Sequence, residues 1–149
     1  MDDIDRKILA AIQSEFPLSP RPYRDLSDRL GVPETDIFNR VTSLKKKGII
    51  RRIGGSFDAG SLGFVTTLCA AKVPEERITV FAEVVNRYPG VTHNYLRDHE
   101  YNIWFTLMMK NKQELERVIE EIMQSTGIRE IITLPAKKTY KLLIDFSLG

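Results

Sequence analysis

The sequence has little cysteine and few long apolar runs. Its single cysteine, Cys69, excludes an internal disulfide. No apolar run reaches the roughly 18 residues needed to span a bilayer. The N-terminus is acidic and lacks an apolar segment, so we expect no signal peptide. Together these absences predict a protein of a reducing, cytoplasmic compartment with no membrane partner.

A strong excess of charge of either sign is also lacking. The 149 residues, enough for one to two small domains, carry a net charge of +2, which by itself indicates neither a nucleic acid nor a membrane as partner. The charge is unevenly placed, however. Residues 39–57 contain six basic side chains and no acidic one. This segment either stays solvated or meets an anion.

Three segments of the first sixty residues have apolar side chains at helical spacing. They predict helices over about residues 3–15, 23–30 and 33–47. The buried stripe of the third helix is expected to consist of Ile37, Phe38, Val41 and Leu44. Gly31 lies between the second and third helices, where a left-handed residue ends a helix. This order is typical of a helix-turn-helix, with the third helix in the recognition position.

The charges of that third helix argue against nucleic acid. Recognition helices place their first residues in the groove, and here those residues include Glu34 and Asp36. Carboxylates repel phosphates and accept hydrogen bonds only from a cytosine amino group. A packing or dimerisation module and a DNA-binding module both remain open from the local sequence. We expect no specific DNA binding.

The last ninety residues predict a second domain. Strand patterns occur over residues 63–73, 91–97 and 102–109, and one or two more strands are predicted within 131–146. Helical patterns cover 74–87 and 112–125. The order βαββαβ is ferredoxin-like. We therefore predict an α+β protein with a winged-helix-like helix-turn-helix domain over 1–60 and a ferredoxin-like domain over 61–149. One face of such a sheet lacks helices, and a partner chain is expected to cover it.

The second and third strands place chemically active side chains on that open face. A four-residue loop would pair Arg97 with Asn102 and set Tyr95 opposite Trp104. An odd loop would bury His93 and Arg97 among aliphatic side chains, which is costly. The even loop therefore predicts that all five side chains share the open face.

This group of side chains suits a flat ligand with many carboxylates. Histidine transfers protons near neutral pH, arginine binds carboxylates, and tryptophan and tyrosine stack on planar rings. The second histidine of the chain, His99, lies in the loop itself. The alternative interpretation is a polar subunit interface with His99 in solvent.

Two segments resemble the Lrp/AsnC family of transcription regulators, namely residues 3–9 and 40–50. Two others resemble a narrower branch, the sirohaem decarboxylases of the alternative haem pathway and of haem d1 biosynthesis. These are residues 51–58 with 62–64, and the aromatic-rich stretch 93–107. The resemblance implies a carboxy-lyase that converts sirohaem to 12,18-didecarboxysirohaem with loss of two CO2. It also implies a homologous partner subunit and no organic cofactor, since sirohaem brings its own iron.

Within that resemblance, the residues receive expected roles. Loss of CO2 from a ring acetate leaves a carbanion that needs a proton, for which His93 is the first candidate, His99 the second and Tyr95 a relay. Arg97 would shield the departing carboxylate. The substrate-binding candidates are Arg51, Arg52, Asn102, Trp104, Lys137 and Lys138. A histidine could instead ligate the sirohaem iron, and no separate metal site is expected. The competing function is a DNA-binding regulator that responds to haem or a small molecule.

Overall fold

The computed structural model describes residues 1–141 and 146, and the chain forms two compact units. The first unit contains residues 1–55 together with 141 and 146, and the second contains residues 56–140. None of the helices in the described part of the chain is long and apolar enough to cross a membrane. The domain boundary between residues 60 and 61 stays a prediction.

The first unit consists of three helices, as predicted. They are α1 (Asp3–Glu15), α2 (Pro22–Leu30) and α3 (Glu34–Lys46). Asp2 begins α1 through a capping box with Asp5, in which each side chain accepts from the other residue's backbone N–H. Gly31 ends α2 with φ of 66°, a conformation that favours glycine. The shared core of the three helices consists of Ile8, Ala11, Leu26, Ile37, Val41, Leu44 and Ile50.

The buried stripe predicted for α3 is wrong at one position. Phe38 is 52% exposed and packs edge-on against Tyr23, with ring centroids 5.5 Å apart. Neighbouring residues of a helix point about 100° apart. Because Ile37 takes the core position completely, Phe38 is turned toward the surface.

The second unit is a four-stranded antiparallel sheet with two helices. Its elements are β1 (Val65–Ala71), α4 (Ile78–Asn86), β2 (Val91–Leu96), β3 (Ile103–Met109), α5 (Lys112–Thr126) and β4 (Ile131–Leu134). The strand order is β2-β3-β1-β4, the ferredoxin-like arrangement. The predicted helix after Pro74 starts with a 3₁₀ turn, Glu75–Arg77. No strand follows β4 within residues 135–141, and residues 142–145 of the predicted strand region lie outside the described residues.

The two faces of the sheet differ in what they contact. One face packs on α4 and α5, where Phe81 lies against Phe105 with centroids 6.4 Å apart. Cys69 is buried there, as predicted for a strand residue, and burial raises the pKa of its thiol to about 12. The other face lacks helices, and its side chains Leu68, Ile132 and Leu134 remain substantially exposed.

Candidate active site

The β2–β3 hairpin has the predicted register. Tyr95 lies opposite Trp104, and Leu96 lies opposite Ile103. The Arg97 N–H donates to the Asn102 carbonyl at 2.7 Å, which closes a four-residue loop, 98–101. Since Ile103 is buried against the helices and Trp104 is only partly covered, Tyr95 shares the open face with Trp104.

A β-bulge at Thr92 sets where His93 points. Val91 pairs with Leu107, whereas His93 pairs with Thr106, so the register shifts between them. The extra residue lets Val91 pack on the core while His93 keeps to the open face. Thr92 Oγ1 lies 3.0 Å from His93 Nδ1.

Along β2, three functional side chains form a stack. The His93 and Tyr95 rings are nearly parallel, at 23°, with centroids 6.1 Å apart. The Arg97 guanidinium carbon lies 5.4 Å from the Tyr95 ring centroid, a cation–π distance. Among the residues that the structure describes, Arg97 has no ion-pair partner. An imidazole and a guanidinium therefore project from the same face and are exposed to solvent.

The hairpin tip presents the second histidine. The Tyr101 N–H donates to His99 Nδ1 at 3.0 Å, and the two rings stack with centroids 6.4 Å apart. Lys72 Nζ, at the end of β1, lies 2.5 Å from Glu100 Oε1. This ion pair lowers the pKa of Glu100 and raises the pKa of Lys72.

Two concavities flank the hairpin tip and share part of their lining. One has a volume of about 450 Å³ and is lined by Leu68, Arg97, Asp98, His99 and Trp104. The other has a volume of about 490 Å³ and is lined by Glu75, Ile78, Leu96, Arg97, Asp98, His99 and Asn102. Arg97 and His99 thus line both, whereas His93 lines neither. Both are wide open to solvent.

The expected open-face role of Asn102 needs correction. Its amide oxygen accepts from the Val73 N–H at 3.0 Å, and its amide nitrogen donates to the Val73 carbonyl at 2.8 Å. The side chain is therefore engaged with β1's end rather than presented beside Trp104. Trp104 keeps its place, with its indole N–H donating to the Tyr101 carbonyl at 2.6 Å.

The other basic candidates do not join this group within their own unit. Lys137 and Lys138 follow β4, which runs away from the hairpin tip because Ile131 pairs beside Ala71 and Leu134 beside Leu68. Lys138 Nζ lies 5.0 Å from the Tyr140 ring centroid. Arg51 and Arg52 are exposed and belong to the helical unit. Their roles as substrate-binding residues stay predictions.

Within the helical unit, Arg40 of α3, the helix in the recognition position, forms ion pairs. The Arg40 side chain is only 23% exposed and contacts three carboxylates. Its guanidinium lies 2.7 Å from Asp2, 2.8 Å from Asp5 and 3.0 Å from Asp36. The Asp5 backbone N–H and the Arg40 guanidinium lower the pKa of Asp2.

An acidic side chain in the first turn of α3, Glu34, also forms an ion pair. Arg21 lies 3.0 Å from Glu34. Sequence reasoning missed these pairs because Asp2, Asp5 and Arg21 lie outside α3. Asp36 alone lies at helical spacing from Arg40. Sequence reasoning also missed Lys72 and Asp98 at the hairpin tip. The only available signal for Lys72 was its position at the end of a strand beside the tip.

Comparison with known proteins gives a consistent picture for both units. Residues 61–141 match the AsnC-like ligand binding domain family, and residues 5–51 match the siroheme decarboxylase NirDL-like HTH domain family. The siroheme decarboxylase alpha subunit of Desulfovibrio desulfuricans is 51% identical over 146 residues, which cover 98% of this chain and 84% of that protein.

Solved structures agree with these matches. The siroheme decarboxylase NirDL in complex with an iron-uroporphyrin III analogue is 33% identical, with a TM-score of 0.67, over 93% of this chain. The chain spans about half the length of that protein, 47%. AsnC of E. coli has a TM-score of 0.80 at 21% identity, a likeness that shows the fold alone.

Proposed function

The chain belongs to the sirohaem decarboxylase family, and from this premise we propose that it is a subunit of an enzyme that converts sirohaem to 12,18-didecarboxysirohaem with loss of two CO2. The observation that carries the proposal is the open-face stack of His93, Tyr95 and Arg97 on β2. It places a proton donor and a carboxylate-binding cation on the same side of the sheet. The 51% identity to a decarboxylase subunit supports the same reaction.

Binding of the macrocycle follows from the shape and charge of this face. A flat tetrapyrrole packs on aromatic side chains, and Tyr95 and Trp104 lie opposite one another on the open face. Its carboxylates need cations, one of which Arg97 supplies at the hairpin; Arg51 and Arg52 are further proposed substrate-binding residues. Because Arg97 has no ion-pair partner within the described residues, its charge is available to the substrate.

The chemical step requires a proton at carbon. When a ring acetate loses CO2, the electron pair of the broken C–C bond passes into the conjugated macrocycle, and a proton on the exocyclic carbon completes the methyl group. We assign that proton to His93, with His99 as the second donor and Tyr95 as a relay. General acid catalysis of this kind contributes roughly 10²–10⁴-fold. Sirohaem supplies its own iron, and we propose no organic cofactor.

A second subunit completes the site. The open face is apolar toward β4, where Leu68, Ile132 and Leu134 remain exposed. Exposed apolar patches of this kind mark protein interfaces. A homologous partner that covers this face would also close the concavity of about 450 Å³ that Leu68 and Trp104 line beside Arg97 and His99. We propose a cytoplasmic location, in keeping with the single, buried, unpaired Cys69.

The test is anaerobic incubation of the chain with sirohaem, alone and with a homologous partner subunit. Mass spectrometry of the tetrapyrrole is expected to reveal two successive losses of CO2. The chain with its partner is the matched comparison to the chain alone. Intact sirohaem after incubation with both subunits would contradict the proposal.

A further inference from the structure

The loop at the hairpin tip is held by three side chains outside it. Lys72 pairs with Glu100 at 2.5 Å. The Trp104 indole N–H donates to the Tyr101 carbonyl at 2.6 Å. Asn102 binds both backbone groups of Val73, at 2.8 and 3.0 Å, and so joins the end of the loop to the end of β1. The loop so held carries His99 and adjoins Arg97, two candidate catalytic side chains.

The fixed loop determines which nitrogen of His99 carries its proton. The Tyr101 N–H points at Nδ1, which must accept and is therefore unprotonated in the neutral ring. The ring proton then resides on Nε2. Stacking on Tyr101 holds the ring plane. In this arrangement Nε2–H is a hydrogen-bond donor, whereas ligation of iron would need a free electron pair on that atom.

We propose that Asn102, assisted by Lys72, is a positioning residue that holds the 98–101 loop so that His99 presents Nε2–H and Arg97 its guanidinium to the same concavity. The inference deepens the proposed function and rests on it. Asn102 acts through the loop, because its amide oxygen and amide nitrogen both bond to the Val73 backbone. This positioning role stands in place of the substrate-binding role that the sequence predicted for Asn102.

The amide is the one short side chain that can make both bonds. Val73 offers a donor and an acceptor side by side, and asparagine supplies the complementary acceptor and donor. An Asn102→Ala substitution removes both bonds. An Asn102→Asp substitution keeps the bond from the Val73 N–H but sets a carboxylate oxygen against the Val73 carbonyl. The two variants should therefore release the loop to different extents.

Nitrogen NMR of the histidine rings tests the geometry without any substrate. The chain has only two histidines, His93 and His99, so a His93→Gln variant assigns the spectrum. At about pH 9, where an ordinary imidazole is neutral, we expect His99 of the intact chain to be protonated at Nε2. In Asn102→Ala the ring should average between tautomers. A His99 ring protonated at Nδ1, or one unchanged in Asn102→Ala, would overturn the proposal.

A kinetic cycle tests the consequence for catalysis in the enzyme assembled with its partner subunit. Asn102→Ala should reduce the rate of CO2 release roughly 10–100-fold, as small displacements of catalytic groups do, and Asn102→Asp should reduce it less. In a His99→Ala background, Asn102→Ala should reduce the rate by a clearly smaller factor, because only its effect on Arg97 remains. Equal effects in both backgrounds would mean that Asn102 does not act through His99.

Asn111 provides a matched control for folding. Its side chain accepts from the Glu114 N–H at the start of α5, at the end of β3 opposite the hairpin tip. Asn111→Ala also removes a side-chain bond to backbone and should lower thermal stability while leaving the rate unchanged. A similar rate loss in Asn111→Ala would reduce Asn102 to a purely structural residue. If the unaltered enzyme releases no CO2, the proposed function fails, whereas the NMR result still decides the loop geometry.

Discussion

The recognition helix α3 and the β2–β3 hairpin place basic side chains at the surface in opposite ways. In α3, Arg40 is shared among Asp2, Asp5 and Asp36, and the first turn is further occupied by the pair of Glu34 with Arg21. In the hairpin, the Arg97 guanidinium lies against the Tyr95 ring and has no ion-pair partner among the described residues. In the N-terminal half of α3, Glu34, Asp36 and Arg40 are thus in ion pairs, while the hairpin presents the Arg97 guanidinium without an ion-pair partner in the part of the chain that the structure describes.

The difference shows that architecture and activity are separate properties. A helix-turn-helix on a ferredoxin-like sheet is shared with AsnC of E. coli at a TM-score of 0.80. The fold is common to regulators and decarboxylases, so function follows from which side chains remain available to bind a ligand. In this chain those side chains are concentrated on one hairpin.

Loss of His93 should give the largest effect, because it removes the proposed proton donor of the β2–β3 hairpin and leaves α3 unchanged. We expect His93→Ala to reduce the rate of decarboxylation roughly 10²–10⁴-fold, because the developing carbanion loses its proton donor. The side chain is exposed, so the thermal midpoint should stay the same. The rate is measured by CO2 release with the partner subunit present. A rate within twofold of the unaltered enzyme would contradict the assignment.

Two phenylalanines distinguish the core of the sheet from the surface of the recognition helix. Phe105 is fully buried between the sheet and its helices, so Phe105→Ala should cost about 3–5 kcal/mol of unfolding free energy. Phe38 is 52% exposed, and Phe38→Ala should cost less than about 1 kcal/mol. Urea denaturation measures both. A larger loss of unfolding free energy in Phe38→Ala would contradict the exposed position of Phe38 on α3.

Loss of Arg97 should weaken binding of the tetrapyrrole. A hydrogen bond to a charged group contributes about 1.5–3 kcal/mol, so Arg97→Ala should raise the dissociation constant roughly 10–100-fold. Absorbance titration with an iron-uroporphyrin measures this constant. Arg117→Ala is the matched control, since Arg117 is an exposed arginine on α5 that pairs with Glu121 at 2.7 Å. Equal weakening in both variants would count against a specific role for Arg97.

The smallest effect is expected at Asp2, on the helical side of the comparison. Its folded-state pKa lies below the ordinary 3.8, so its charge stabilises the unit above that pH, and this contribution is lost as the pH falls through the lowered value. Asp2→Asn keeps an N-cap but loses the charge that Arg40 contacts. The unaltered chain should be more stable than the variant at pH 7, and the difference should close below about pH 3.8. Urea midpoints at the two pH values measure it, and a constant difference would refute the pairing.

The sequence predicted the structure well where apolar side chains recur at regular spacing and all pack against one core. Helical spacing located α1, α2 and α3, and the parity of the 98–101 loop determined the pairing of Tyr95 with Trp104. The same alternation placed His93 on the open face. That prediction holds because a bulge at Thr92 reorients only Val91.

The sequence predicted the structure poorly where a side chain departs from strand alternation or helical spacing to contact another element. Alternation assigns Asn102 to the open face, but a residue at a strand end can turn to a neighbouring strand, here to Val73. In α3, helical spacing cannot rank the adjacent Ile37 and Phe38, and it cannot anticipate that carboxylates of α1 reach Arg40. Such contacts depend on tertiary packing, which one-dimensional periodicity does not contain.

The most direct measurement compares CO2 release by two double variants, each assembled with the partner subunit. One is His93→Ala/Arg97→Ala on the hairpin, and the other is Thr35→Ala/Asn39→Ala on the exposed face of α3. If the hairpin carries the activity, the first variant releases no measurable CO2 and the second stays within about twofold of the unaltered enzyme, as expected for surface positions away from the site. Retained turnover in the hairpin variant, or its loss in the α3 variant, would contradict the account.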